Sequence, residues 1–189
     1  MNLLSILLGI SLASGLSVYA TVFAMGLLQR FGIIHLPSTL EVVSSLPVMI
    51  VAAGLYAIEF VVDKVPILDS AWDGIHTVIR PAAGAILAYS AVGHVDPQLQ
   101  LLAALLGGSL AFAAHAAKSS ARAAVQVSPE PVSNWILSLA EDGLVFVLVW
   151  LVGSHPWIGL VVAVAVAILA IVVAWKLSRF FRRVLRRLA

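Results

Sequence analysis

The chain has 189 residues, is 62% hydrophobic with a mean hydropathy of +1.09, and is only 11% charged; a soluble domain carries about 25% charged residues, so water is excluded as the main solvent and a bilayer is implied. It contains no cysteine, which excludes disulfides, thiolate metal sites and cysteine nucleophiles. The net charge of +2 does not point to nucleic acid, because six of the 11 basic residues (Lys176, Arg179, Arg182, Arg183, Arg186 and Arg187) fall in the last 14 positions, where they read as a topology signal and a headgroup contact.

The expected fold is all-α. A single integral-membrane domain over 1–189 would form a polytopic bundle of about six transmembrane helices, with a basic cytoplasmic tail at about 176–189. Spans of about 20 apolar residues are predicted at roughly 3–28, 44–63, 77–95, 99–122, 134–153 and 157–178. The opening MNLLSILLGISLASGL lacks a basic n-region, and its apolar run continues to Leu28. That run is too long for a signal-peptide core, so it is expected to stay as the first span. Ser11, Ser14, Ser17 and Thr21, with Gly9 and Gly15 among them, give it the small-residue surface that lets membrane helices pack closely.

Gly32 to Ser44 reads as a loop. Pro66 to His76 reads as a second loop or a re-entrant helix, interrupted by Pro66 and Gly74. GHVDPQ (Gly93 to Gln98) is a tight turn. VSPEPVSN (Val127 to Asn134) is a Pro-rich break that offers helix N-caps at Ser133 and Asn134. GSHPW (Gly153 to Trp157) is the last turn. Trp150, Trp157 and Trp175 lie near span ends, as an aromatic belt requires.

Six spans put both termini on one side, and the basic tail makes that side cytoplasmic. Lys64, Arg80, Lys118 and Arg122 then fall at inner loops, so ten of the 11 basic residues are inside and Arg30 alone is outside. LLGISLA (Leu7 to Ala13) matches LLGGSLA (Leu105 to Ala111) in six of seven places. On the six-span plan the two copies would have opposite orientation, an inverted three-plus-three repeat of the kind common in transporters.

The charges outside the tail are not scattered. Glu59 and Asp63 share one helix face at the inner end of the second span. Asp69, Asp73, His76 and Arg80 follow at spacings of four, three and four, one face if the segment is helical. His115, Lys118 and Arg122 share a face of the fourth span. Asn134, Ser138 and Glu141 repeat that spacing on the fifth, with Asp142 beside them. Glu141 lies 13 residues before Ser154, about 20 Å deep at 1.5 Å per residue. A carboxylate there costs about 2.5–3.5 kcal/mol of insertion free energy, so the fifth span needs partners. Intramembrane ionisable residues mark a functional site by default. The expected ion- or substrate-binding residues are Glu59, Asp63, Arg80, His115, Lys118, Arg122, Asn134, Glu141 and Asp142. Lys64 and Glu130 stand at its edge as cluster members or solvated loop residues. Asp69, Asp73 and His76 carry oxygen and imidazole ligands at helical spacing and are the candidate holders of a divalent metal.

The stretches EFVVDKVPILDSAWDGIHTVIRPAAGA and HAAKSSARAAVQVSPEPVSNWILSLAED resemble a family of small bacterial membrane proteins described as domain of unknown function 4126. The resemblance covers nearly the whole chain. It implies a multi-span protein of the bacterial inner membrane and marks the charged positions as the family's signature positions. It carries no activity.

Three functions compete. One is a small transporter or channel for an ion or solute, in which the acids bind a proton or cation. Another is a metal-assisted enzyme or carrier acting on a lipid phosphate, clamped by Arg80, Lys118 and Arg122. Glu59 and Asp63 faintly resemble the acid pair of polyprenyl-pyrophosphate phosphatases, but SPEPVSN lacks their arginine. The last is a non-catalytic assembly subunit, in which the charges only hold helices together. No HExxH, Walker loop or GxSxG supports an enzyme. The expected partners are the bilayer, anionic headgroups at the tail and further copies of the chain in a homo-oligomer; no nucleic acid is expected.

Overall fold

A computed structural model describes residues 3–93, 95–125 and 131–188, with side chains described for all of these except 66, 67, 131–134, 181, 182 and 184–188. The described residues form helices and no strand: α1 (Leu3–Leu16), α2 (Val18–Arg30), a 3₁₀ helix (Ser38–Ser44), α3 (Leu46–Val62), α4 (Pro66–Ala91), α5 (Pro97–Val125), α6 (Pro131–Ser154) and α7 (Pro156–Leu188). Proline opens α4, α5, α6 and α7, where its missing N–H would have had no partner in any case.

The expected first span is not one helix. It breaks at Ser17, whose backbone is extended (φ −153°, ψ 116°) and whose hydroxyl accepts the Ala20 N–H to cap α2. The neighbours on each side give the directions. Along α1, Leu7 clusters with Ala88 and Ala103, Gly15 packs on Ala114, and the Leu16 carbonyl meets Lys118. Along α2, Tyr19 touches His76, Phe23 stacks on Tyr56, and Gly26 packs on Met49. So α1 runs parallel to α5, and α2 runs back antiparallel to α3. The two arms form a hairpin. Its tip is Ser17, and its open end faces the end of the bundle that holds Gly93.

The matching heptapeptides therefore run in the same direction, not opposite ones. They also pack together. A Cβ on Gly107 would meet Ser11 Oγ at 2.9 Å and the Gly84 carbonyl at 2.6 Å; one on Gly15 would meet Ala114 Cβ at 2.7 Å. Ser11 and Ser14 turn their hydroxyls onto the Leu7 and Ser11 carbonyls at 2.6 and 2.9 Å. The small residues of α1, α4 and α5 are close-packing surfaces, as read for the first segment.

Residues 66–76 are helix, not loop. α4 continues through Gly74 and Pro81 because its charged side chains find partners inside the protein rather than in water. Ser133 and Asn134 lie inside α6, which already begins at Pro131, so they are not its caps. The turn after α4 is as expected, with Gly93 at φ +65°, a conformation that glycine adopts without cost.

Among the described residues, three helices are long and apolar enough to cross a membrane, α5, α6 and α7, or four if the 3₁₀ helix and α3, bent by 64°, form one span. They fit a multi-pass membrane protein, and by this measure the count is below the six expected. The outward faces of the helices carry Ile50, Val78, Ile86, Leu105, Val161 and Leu169, all exposed, as lipid contact requires. The apolar core, around Ile10, Leu12, Met25, Val145 and Leu148, lies between the hairpin and α6.

Candidate functional site

The tip of the hairpin meets the charged residues of α3, α4, α5 and α6. Five carboxylates (Glu59, Asp63, Asp69, Asp73 and Glu141), three cations (Arg80, Lys118 and Arg122) and two histidines (His76 and His115) are all buried there. The helical spacings predicted this convergence: on α4 and α5 the ionisable residues recur every third or fourth position and so fall on the face turned inward.

The network has two layers. In the first, Arg80, 0% exposed, donates from Nη2 to Glu59 Oε1 at 2.8 Å and from Nη1 to Asp73 Oδ1 at 3.1 Å. Its Nη1 also lies 2.7 Å from His115 Nδ1. A guanidinium only donates, so that nitrogen accepts and His115 carries its proton on Nε2. Nε2 then donates to Thr77 Oγ1 at 3.0 Å, while Thr77 donates to the Asp73 carbonyl at 2.9 Å. The other oxygen of Glu59 takes a hydrogen bond from the Ser17 hydroxyl.

In the second layer Arg122 spans three helices. Its Nη1 donates to Asp69 Oδ1 at 3.0 Å and to the Asp63 carbonyl at 2.8 Å. Nη2 donates to Asp63 Oδ2 at 3.0 Å and to Glu141 Oε2, and Nε reaches the same Glu141 oxygen at 3.1 Å. Lys118 lies beside it, 3.0 Å from Asp63 Oδ2 and 3.5 Å from Glu141 Oε2. Its third contact is the Leu16 carbonyl at 3.1 Å. A lysine on the last carbonyls of a helix satisfies an orphan acceptor and complements the negative end of the dipole. The break at Ser17 is thus held from both sides, by Lys118 below α1 and by the Ser17 cap above α2.

Most of the sequence-predicted residues have a place in the described structure. Glu59, Asp63, Arg80, His115, Lys118, Arg122 and Glu141 join the network. Asp142 sits at its rim beside Tyr56, with its Oδ2 buried and unpaired. The side chain of Asn134 and the whole of Glu130 lie outside the described residues. Lys64 is half-buried, bonding the Phe60 carbonyl at 2.7 Å and covering the Phe60 ring. Burial lowers its pKa, against the raising pull of Asp142 and Asp63.

Asp69, Asp73 and His76 do not converge. Asp69 faces Arg122, Asp73 faces Arg80 and Ser119, and His76 bonds the Trp72 carbonyl at 2.8 Å and the Tyr19 hydroxyl at 3.3 Å. Among the described residues no three His, Asp or Glu side chains are grouped to hold a metal.

The sequence reading missed Tyr19, Thr77 and Ser119, and gave Ser17 only a packing role. Ser17 had a signal, being a good N-cap residue in the middle of an apolar run. Tyr19 had none, since an aromatic residue in a membrane helix is ordinary.

The fold and site define a class: an all-helical protein fit for a membrane, with a buried ion network around a broken helix. The chain belongs to the family described as a domain of unknown function, DUF4126, whose model matches residues 4–176. No curated protein and no solved structure matches it.

Proposed function

We propose that the protein is a small transporter or channel of the bacterial inner membrane, moving an ion or small solute through the charged network. The observation that carries this reading is the break at Ser17. Helices interrupted inside a membrane expose backbone polar groups that bind ions and substrates, and they are tolerated where they line a site. Here both open ends of the break meet ionisable side chains.

Charge supports the same reading. Among the described residues, five buried carboxylates against three buried cations leave a formal excess of two negatives. An excess buried in low dielectric is relieved by taking up protons or a cation. On this reading alternating access proceeds by exchange of ion-pair partners between the two layers.

On this reading α3 to α7 cross the membrane and the α1–α2 hairpin re-enters it. The basic tail, Lys64, Arg80, Lys118 and Arg122 mark the network end as cytoplasmic. The hairpin then enters from the opposite face, so the amino end of α1 lies outside. This replaces the expectation of two cytoplasmic termini. The basic tail would rest on anionic headgroups.

The lipid-phosphate reading is weaker, because the cations that would clamp a phosphate are engaged by carboxylates. Glu141→Gln and Glu59→Gln test the proposal. Each removes one negative charge and keeps the side-chain shape. Reconstituted at equal density, the parent should move ions or solute above empty liposomes, and both variants should lose most of that flux. Variants that fold and carry the same flux as the parent would refute the assignment.

A further inference from the structure

A cavity of about 250 Å³ opens between α4 and α5 beside the network, lined by Asp69, Asp73, Gly74, Thr77, Ser119 and Arg122 among others. We infer that it takes a small amine, bound as its ammonium cation, rather than an anion. The inference rests on the transporter reading and names the solute class for that site.

Donor bookkeeping decides the sign. A guanidinium has five N–H donors and an ammonium three. Arg122 is the cation of the cavity wall, and all five of its donors are committed: one from Nε to Glu141, two from Nη1 to Asp63 and Asp69, two from Nη2 to Asp63 and Glu141. Lys118, deeper in the network, donates to Leu16 and Asp63 and pairs with Glu141 at 3.5 Å. The hydroxyls of Thr77 and Ser119 donate to the Asp73 carbonyl and Asp73 Oδ2. A phosphate or carboxylate entering here would find no donor to spare on Arg122, the one unpaired guanidinium nitrogen of the network, Arg80 Nε, being buried and outside the cavity lining, and it would face Asp69 and Asp73.

Acceptors are in surplus. A carboxylate offers about four lone-pair sites, and Asp73 receives Arg80 on one oxygen and Ser119 on the other. An N–H-bearing cation can share those oxygens and offsets the negative excess of the network. A bare divalent ion fits less well, because the acids and histidines here are each aimed at a different partner. Ser70, Gly74 and Thr77 are exposed on α4, which gives the cavity a mouth, and a side chain on Gly74 would meet nothing within 4 Å. Gly74→Leu therefore fills space near the mouth without touching an ion pair.

The test is thermal unfolding of the full-length protein in mild detergent, titrated with ethylammonium chloride, and with potassium chloride and potassium phosphate at matched ionic strength. Ethylammonium should raise the melting temperature saturably, by ligand linkage, and the two potassium salts should not. The ethylammonium shift should vanish in Asp73→Asn and shrink strongly in Gly74→Leu. A saturable shift with phosphate, no shift with ethylammonium, or an undiminished shift in Gly74→Leu overturns the inference. Flux in liposomes without an ethylammonium shift defeats this inference alone; an ethylammonium shift without flux defeats the transporter reading alone.

Discussion

The Ser17 hydroxyl both caps α2, accepting the Ala20 N–H at 3.1 Å, and donates to the carboxylate of Glu59. One side chain therefore ends a helix and joins a charged network. Ser17→Ala should cost about 1 kcal/mol for the lost cap, and about 1–3 kcal/mol more because Glu59 loses a buried donor. Ser17→Asp keeps a capping acceptor but sets a second carboxylate against Glu59, so it should be worse than alanine. Unfolding free energies measured in mixed micelles check that order. Equal stability of the two variants would contradict it.

Arg122 is the most heavily committed cation. Arg122→Gln removes the guanidinium that Asp63, Asp69 and Glu141 share and leaves Lys118 as the remaining cation beside Asp63 and Glu141, and removing one partner of a buried pair costs about 3–5 kcal/mol. Arg122→Lys keeps the charge but has too few donors for three carboxylates and a carbonyl, so it should fall between. Adding Glu141→Gln to Arg122→Gln should recover part of the loss, because one unpaired negative is gone. A double-mutant cycle on unfolding gives the coupling, and strict additivity would mean that the pair does not interact.

The close approach of α1, α4 and α5 depends on glycine. Gly107→Ala puts a methyl against the Gly84 carbonyl and Ser11, and overpacking of this kind costs about 1–3 kcal/mol. Gly54→Ala and Gly143→Ala, where a Cβ meets nothing within 4 Å, should be neutral or slightly stabilising, as alanine favours helix. Thermal unfolding of the three variants separates the sites.

The hairpin makes a topological prediction. The native chain has no cysteine, so single cysteines can be placed cleanly. Leu4→Cys and Arg30→Cys should react with a membrane-impermeant maleimide from the same face of the membrane, and Arg179→Cys from the other. A first segment that crossed the bilayer would separate residues 4 and 30.

Much of this was legible in the sequence. Helical spacing put His115, Lys118 and Arg122 on one face and, on the condition that 66–76 is helical, Asp69, Asp73, His76 and Arg80 on another, and all seven are buried. The need of Glu141 for a partner also followed from insertion cost, and Arg122 supplies it. Two features were hidden. Apolar periodicity runs unbroken across Ser17, so the reversal there depends on Glu59 and Lys118, which are distant in sequence. Pro66, Gly74 and the charges around them carry the signals of a solvated loop. They are helix because Arg80 and Arg122 neutralise them inside the fold, a tertiary effect that a local reading does not contain. The direction of the repeat was lost with the hairpin, since one missed reversal inverts the orientation of every element placed before it.

The most direct measurement is the current on a solid-supported membrane after a jump in solute or proton concentration, for the parent and for Glu59→Gln at equal protein density. The account predicts a transient current in the parent that is absent or strongly reduced in Glu59→Gln. The same current in both, or none in the parent, would contradict the claim that the network at the hairpin tip carries charge across the membrane.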